Sequence, residues 1–346
     1  FETALPMFRE ACVQAQIDFD IVFSRSGNLL ASERPRAARS IIRKMANVEM
    51  SSQQELLLKA LQEASGVIRP PTVETKDEVC VAREETERLI YTCMLLQLAL
   101  DDLEAASGIA AELPATSIFA QPAAFALARY EYRNGSPEMA AERLDVLLTK
   151  NPQSPLFWLY KARSLAISEQ DQEALVAFGK ALQLNPESRK ITLEMSDHLA
   201  VMDYYEQAEE ILMSFLLVNP NDALVLFALA GVQEAAGAPE AAEETLLQLM
   251  GMSEENDAET TQKLVAVQVT LEKFPEALAN ADSLLEQDPA NIDVRRLRVE
   301  ALTALGEDEE AEAELDRIRR LEPAETTEDG ALEDGASEAF ASASAP

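Results

Sequence analysis

The 346-residue sequence predicts an all-α solenoid of antiparallel helix pairs, and three observations predict it. Prolines keep a fixed beat: Pro152, Pro186 and Pro220 stand 34 residues apart, and so do Pro289 and Pro323. Asn151, Asn185, Asn219 and Asp288 precede four of these prolines. An Asx–Pro pair biases the chain out of helix and into a turn. Alanines keep the same beat at Ala140, Ala174, Ala208, Ala242, Ala277 and Ala311. A larger side chain there would overpack a close helix–helix contact at a cost of about 1–3 kcal/mol. Between these marks run two amphipathic segments per period, with apolar residues at helical spacing. The Ala- and Leu-rich composition, with only 5% aromatic residues, suits helix packing better than a sandwich or barrel.

From the N-terminus, Leu5, Phe8, Cys12, Ala15, Phe19 and Val22 alternate by three and four, as a helix does, with Gly27 near its end. Ile17, Phe19, Ile21 and Phe23 alternate by two and leave a strand as the rival reading. Ser32 and Pro35 suit a new helix start, with Ile41, Ile42 and Met45 on its apolar face. A further helix is expected over 52–64, closed by Gly66 and the Pro70–Pro71 break, and another from Thr75 to about Leu98. Residues 1–80 fall out of phase with the period, so they are expected to cap the array or dock it to something else. A degenerate helix pair is expected over 87–120 and six regular pairs over 121–323. Their periods run 121–154, 155–188, 189–222, 223–257, 258–291 and 292–325, with one extra residue near Met252. The tail, 324–346, is acidic and then Ala- and Ser-rich, and reads as disordered because little in it can form a core.

The charge is lopsided: 62 acidic against 29 basic residues, a net −33. Nucleic-acid binding needs cations to neutralise phosphates, so it is excluded as an expectation, and so is docking on anionic membranes. No stretch reaches the roughly 18 apolar residues that span a bilayer. Three cysteines, Cys12, Cys80 and Cys93, an odd count without close spacing, read as buried reduced thiols; if Cys80 and Cys93 share one helix, they lie about 20 Å apart at roughly 1.5 Å per residue and cannot bond to each other. That count leans towards a reducing, cytoplasmic setting. The chain opens at Phe1, so a removed leader or anchor would instead place it in the cell envelope.

Catalytic chemistry is not expected. The one histidine, His198, sits beside Asp197 without a second imidazole to form a metal site, and no glycine-rich phosphate loop appears. Paired carboxylates such as Glu209 and Glu210 lie on helix faces and read as solvated surface. The expectation is therefore a protein that is not an enzyme, with no cofactor and no metal.

The period carries a family resemblance. Trp158, Ala162, Leu165, Ala174, Phe178, Ala181 and Pro186 follow in the register of the tetratricopeptide repeat, whose period is 34. Lys161 stands where the family has Leu, Ala162 where it has Gly and Leu165 where it has Tyr. The resemblance implies a right-handed superhelical solenoid whose first helices line a concave groove, and a protein or peptide partner in that groove. Carried over in register, the groove residues would be Phe125, Arg129, Tyr132, Arg133, Leu159, Tyr160, Arg163, Lys190, Leu193 and Phe227. They form an apolar strip rimmed by cations, suited to a helix or extended segment bearing an acidic group, although some of the apolar members are expected to pack on neighbouring repeats. The Lys/Asn clamp with which some relatives grip a chaperone's C-terminal carboxylates is not visible at these positions. The leading expectation is a non-catalytic interaction scaffold. The alternative is an assembly subunit of a larger complex, such as one of the cell envelope or secretion, docked through its N-terminal segment.

Overall fold

The structure, a computed structural model, describes residues 57–60, 62, 73–252 and 257–322. The readings for residues 1–56, for the Gly66 and Pro70–Pro71 break and for the tail 324–346 lie outside these. Among the described residues every regular element is helical. The fold is an all-α helical-repeat solenoid, and it divides into two compact units, 1–218 and 219–346.

The first unit opens with α1 (Val73–Val81), a 3-10 turn (Ala82–Glu85), α2 (Glu87–Ala99) and α3 (Leu103–Ala111). Three longer hairpins follow: α4 (Ala120–Arg133) with α5 (Pro137–Lys150), α6 (Pro155–Ile167) with α7 (Asp171–Leu184), and α8 (Arg189–Val201) with α9 (Tyr205–Leu216). The second unit holds α10 (Ala223–Ala235) with α11 (Pro239–Met250), α12 (Ala258–Thr270) with α13 (Phe274–Gln287), and α14 (Ile292–Leu305) with α15 (Asp308–Leu321).

Local chemistry sets these boundaries. Ser154, Ser188, Asp222, Asp257 and Asn291 each accept a hydrogen bond from a backbone N–H in the first turn of the helix that follows, satisfying a donor the helix itself leaves orphaned. Pro137 and Pro239 open second helices, where a missing N–H costs nothing. Within each hairpin the chain reverses through one left-handed residue. It is Gly at Gly135, Gly237 and Gly306 (φ 75–82°), but Asp101, Glu169, Asp203 and Glu272 adopt it too (φ 58–62°). A side chain in that region costs roughly 1–2 kcal/mol, so packing of the two helices holds these four turns.

The beat alanines are buried: Ala106, Ala140, Ala174, Ala208, Ala242, Ala277 and Ala311 all sit in the interior. In the first unit Leu57, Leu58 and Val79 pack with Leu89, Met94, Leu96 and Leu127, so the residues ahead of α2 share a core with it. The second unit is filled by aliphatic residues such as Leu246, Leu264, Val265, Val267 and Val294.

The cysteine reading is corrected. Cys80 and Cys93 form a disulfide, with Cα atoms 5.1 Å apart. The single helix expected from Thr75 to Leu98 is broken: after the 3-10 turn, Thr86 is extended (φ −150°, ψ 147°) and caps α2, which folds back against α1. Arg83 braces the corner, donating to the Cys80 carbonyl (2.8 Å) and pairing with Glu112 (3.0 Å). Disulfides persist in oxidising compartments, so the cysteines no longer argue for a reducing one.

Candidate functional site

Helical geometry divides α6 into two faces. At 100° per residue, Leu156, Tyr160, Arg163 and Ile167 share one stripe, and Trp158, Lys161 and Leu165 share the opposite one. The first stripe contains two of the groove residues read from the sequence, Tyr160 and Arg163, and the structure sorts the whole set sharply by burial.

Phe125, Leu159 and Tyr160 are core residues, not surface. Tyr160 is a hub between α4 and α6. Its ring meets Phe125 edge-on at 5.2 Å and Tyr132 edge-on at 5.8 Å, while Phe125 also contacts Phe157 at 4.9 Å. Arg163 lies over the Tyr160 ring at 4.8 Å and Arg129 at 5.8 Å. Arg129 is buried, and its charge acts on Tyr91 of α2. Burial drives the Tyr91 phenol well above its ordinary pKa, and the Arg129 charge offsets part of that rise. Tyr91 stacks on Phe119 at 5.2 Å.

Arg163 is not open for an acidic ligand, because its Nε and one terminal nitrogen, Nη2, both donate to the Glu194 carboxylate (Nε–Oε2 2.6 Å). The reason was hidden in the sequence: Glu194 stands 31 residues on, on α8, and only the tertiary fold brings it opposite. Of the other groove residues in this unit, Arg133 and Lys190 are exposed, and Tyr132 and Leu193 are half-buried. Phe227 belongs to the second unit, where Lys263 lies over its ring at 5.8 Å and pairs with Glu234 at 2.8 Å.

Two further positions that the repeat register places along the groove, Ile167 and Val201, are open to solvent. Ile167 is 56% exposed and Val201 75% exposed. With Arg133 they stand 34 residues apart, at the same position of α4, α6 and α8.

His198 packs against Phe178 (5.8 Å between centroids), with Asp171 3.4 Å from its Nε2. Among the described residues no group of His, Cys, Asp and Glu is placed to hold a metal ion, and no helix is long and apolar enough to cross a membrane.

A chain of stacked helical hairpins, without an assembled catalytic group among the side chains described above, defines a helical-repeat protein. Models of the tetratricopeptide repeat match residues 125–189 and 269–328. The chain is a tetratricopeptide-repeat protein. Proteins built of such repeats serve as protein–protein interaction scaffolds and are generally not catalysts, and the repeats of this chain support a scaffold role. Among solved structures the chain is similar to YrrB, described as a TPR protein with an unusual peptide-binding site (20% identity over 54% of this chain and 95% of that one, TM-score 0.45). It is also similar to MamA 41-end from Desulfovibrio magneticus RS-1 (19% identity, 49% and 96%, TM-score 0.43). A third is a tetratricopeptide repeat protein from Parabacteroides merdae ATCC 43184 (15% identity, 73% and 95%, TM-score 0.46). No curated protein matches the sequence.

Proposed function

We propose that the first unit holds a helix or extended segment of a partner protein along the first-helix stripe of α4, α6 and α8. The observation that supports this is the row Arg133, Ile167 and Val201: three exposed residues at one repeat position in consecutive hairpins, a cation followed by two uncovered branched aliphatics. An exposed aliphatic is unremarkable alone, but a row of them in register offers a partner continuous apolar contact. Tyr132 and Leu193 extend the apolar strip, and Arg133 and Lys190 supply positive charge in a chain of net −33. The partner segment therefore carries apolar residues at helical or extended spacing and an acidic group. Phe125, Leu159 and Tyr160 serve the reading indirectly, by fixing the spacing of the helices that present the row.

The test is a pull-down of candidate partners with wild type and with the double variant Ile167→Glu, Val201→Glu. Both sites are exposed, so the far-UV circular dichroism and melting temperature should stay unchanged. Partner recovery should fall at least about tenfold, the equivalent of about 1.4 kcal/mol. Undiminished recovery would remove this face from consideration.

A further inference from the structure

On the opposite face of α6 lies a cavity of about 290 Å³. Trp158, Lys161 and Leu165 of α6 line one side, and Gln172, Glu173, Val176 and Ala177 of α7 the other. We propose that this cavity is a second docking point, which takes one aliphatic side chain of a partner segment flanked by Lys or Arg.

The floor is apolar and rigid. Leu165 and Ala177 belong to the core of this hairpin, and the Trp158 indole is fixed by donating from Nε1 to the Pro152 carbonyl at 2.8 Å. Val176 stands at the mouth 65% exposed, uncovered by anything in its own unit. The volume sits at the lower limit of pockets that hold small molecules, which suits a single side chain better than a cofactor.

The charges around the mouth choose the flanking residues. Lys161 is already engaged: its ammonium pairs with Asp145 of α5 and lies 5.6 Å from the Trp158 ring centroid. Asp171 lies 3.4 Å from the His198 Nε2, and Lys180, one turn beyond Val176, bonds Gln183 at 3.3 Å. The Glu173 carboxylate is exposed and makes no ion pair or hydrogen bond among the described residues, and the Gln172 amide makes none either. Glu173 thus supplies the uncompensated charge at the mouth. A cation beside the inserted side chain meets Glu173, and the Gln172 amide is placed to bond the segment's backbone. This site and the Ile167–Val201 row lie on different faces and use charges of opposite sign, so either can fail without the other.

Trp158 is the chain's single tryptophan, so its fluorescence reports on this cavity alone. The probe is a blocked pentapeptide with leucine between lysine and arginine. Its controls replace the two cations with glutamates or the leucine with serine. The basic leucine peptide should shift or quench Trp158 emission, with an affinity about tenfold above either control. Glu173→Lys should weaken it about tenfold and Glu173→Gln about threefold, each with unchanged circular dichroism, and added salt should weaken wild type towards the Gln variant. An absent emission change, an equal response to the acidic or serine peptide, or a response indifferent to both Glu173 variants overturns the proposal.

Discussion

The two units stack the same helical hairpin, yet they lock it with different chemistry. In the first, the contact between α4 and α6 is aromatic: Phe125, Phe157, Tyr160 and Tyr132 interlock, with two arginines lying over the Tyr160 ring. In the second, the interior is aliphatic, and its last hairpin encloses a carboxylate. Glu314 of α15 is completely buried and is met by Arg295 and Arg298 from α14 and by Arg317 from its own helix. Arg295 also donates to the Pro289 carbonyl at 3.0 Å, and Arg298 reaches Asp282 of α13 at 2.7 Å. Aromatic packing contributes mainly through buried area and ring geometry, and it tolerates loss of a polar atom. A buried ion cluster adds little net stability but is costly to break, because the survivors are left charged and unpaired. The contact between α4 and α6 should therefore be sensitive to shape, and the last hairpin of the second unit to charge.

The largest effect should come from Tyr160→Ala. It removes the hub of the aromatic cluster and leaves a cavity between α4 and α6, which costs about 4 kcal/mol for a buried aromatic. Hydrogen exchange should show the loss of protection over 120–184 with 223–321 unaffected. Tyr160→Phe should retain most of the stability, and a large loss there would show that the hydroxyl, not the ring, holds the first unit.

Glu314→Ala should follow, at about 3 kcal/mol, since Arg295 and Arg298 would keep charges with no buried partner. Exchange should accelerate in α14 and α15 and leave α4 to α7 as they were. Replacing Glu314 by Met together with Arg295 by Leu should recover much of the loss; failure of that rescue would mean the cluster stabilises beyond pairing off its own charges.

The smallest effect should come from the covalent tie at the N-terminal end of the first unit. Reducing the Cys80–Cys93 bond, whose cysteines are 13 residues apart, should cost about 2–3 kcal/mol through the freedom returned to the unfolded chain. Protection should be lost over 73–99 first. A thiol count on the denatured, unreduced chain should leave Cys80 and Cys93 blocked, and labelling of either would remove the bond.

The all-α class was legible in the sequence because it rests on local rules. Asx–Pro turns, Ser and Asp caps, and small residues at Ala140, Ala174 or Ala242 act within a few residues of chain, and a repeated period multiplies each signal. Gly135, Gly237 and Gly306 announced their left-handed turns, whereas Glu169 and Glu272 gave no sign of adopting the same conformation, since packing rather than propensity imposes it. Thr86 could have marked the break between Cys80 and Cys93, but an amphipathic run on both sides masked a single capping residue.

What the candidate site offers was decided by tertiary structure. Helix periodicity put Tyr160 and Arg163 on one stripe of α6, but it could not say that α4 would cover the first and Glu194 would engage the second. Nor could it separate Ile167, left open, from Leu165 two residues earlier, buried against α7. The sequence by itself determined the repeating hairpin, because a helix pair is specified by residues a few positions apart. Only the tertiary structure decided which charges and apolar side chains remain for a partner, because each is claimed or spared by a residue roughly one repeat away.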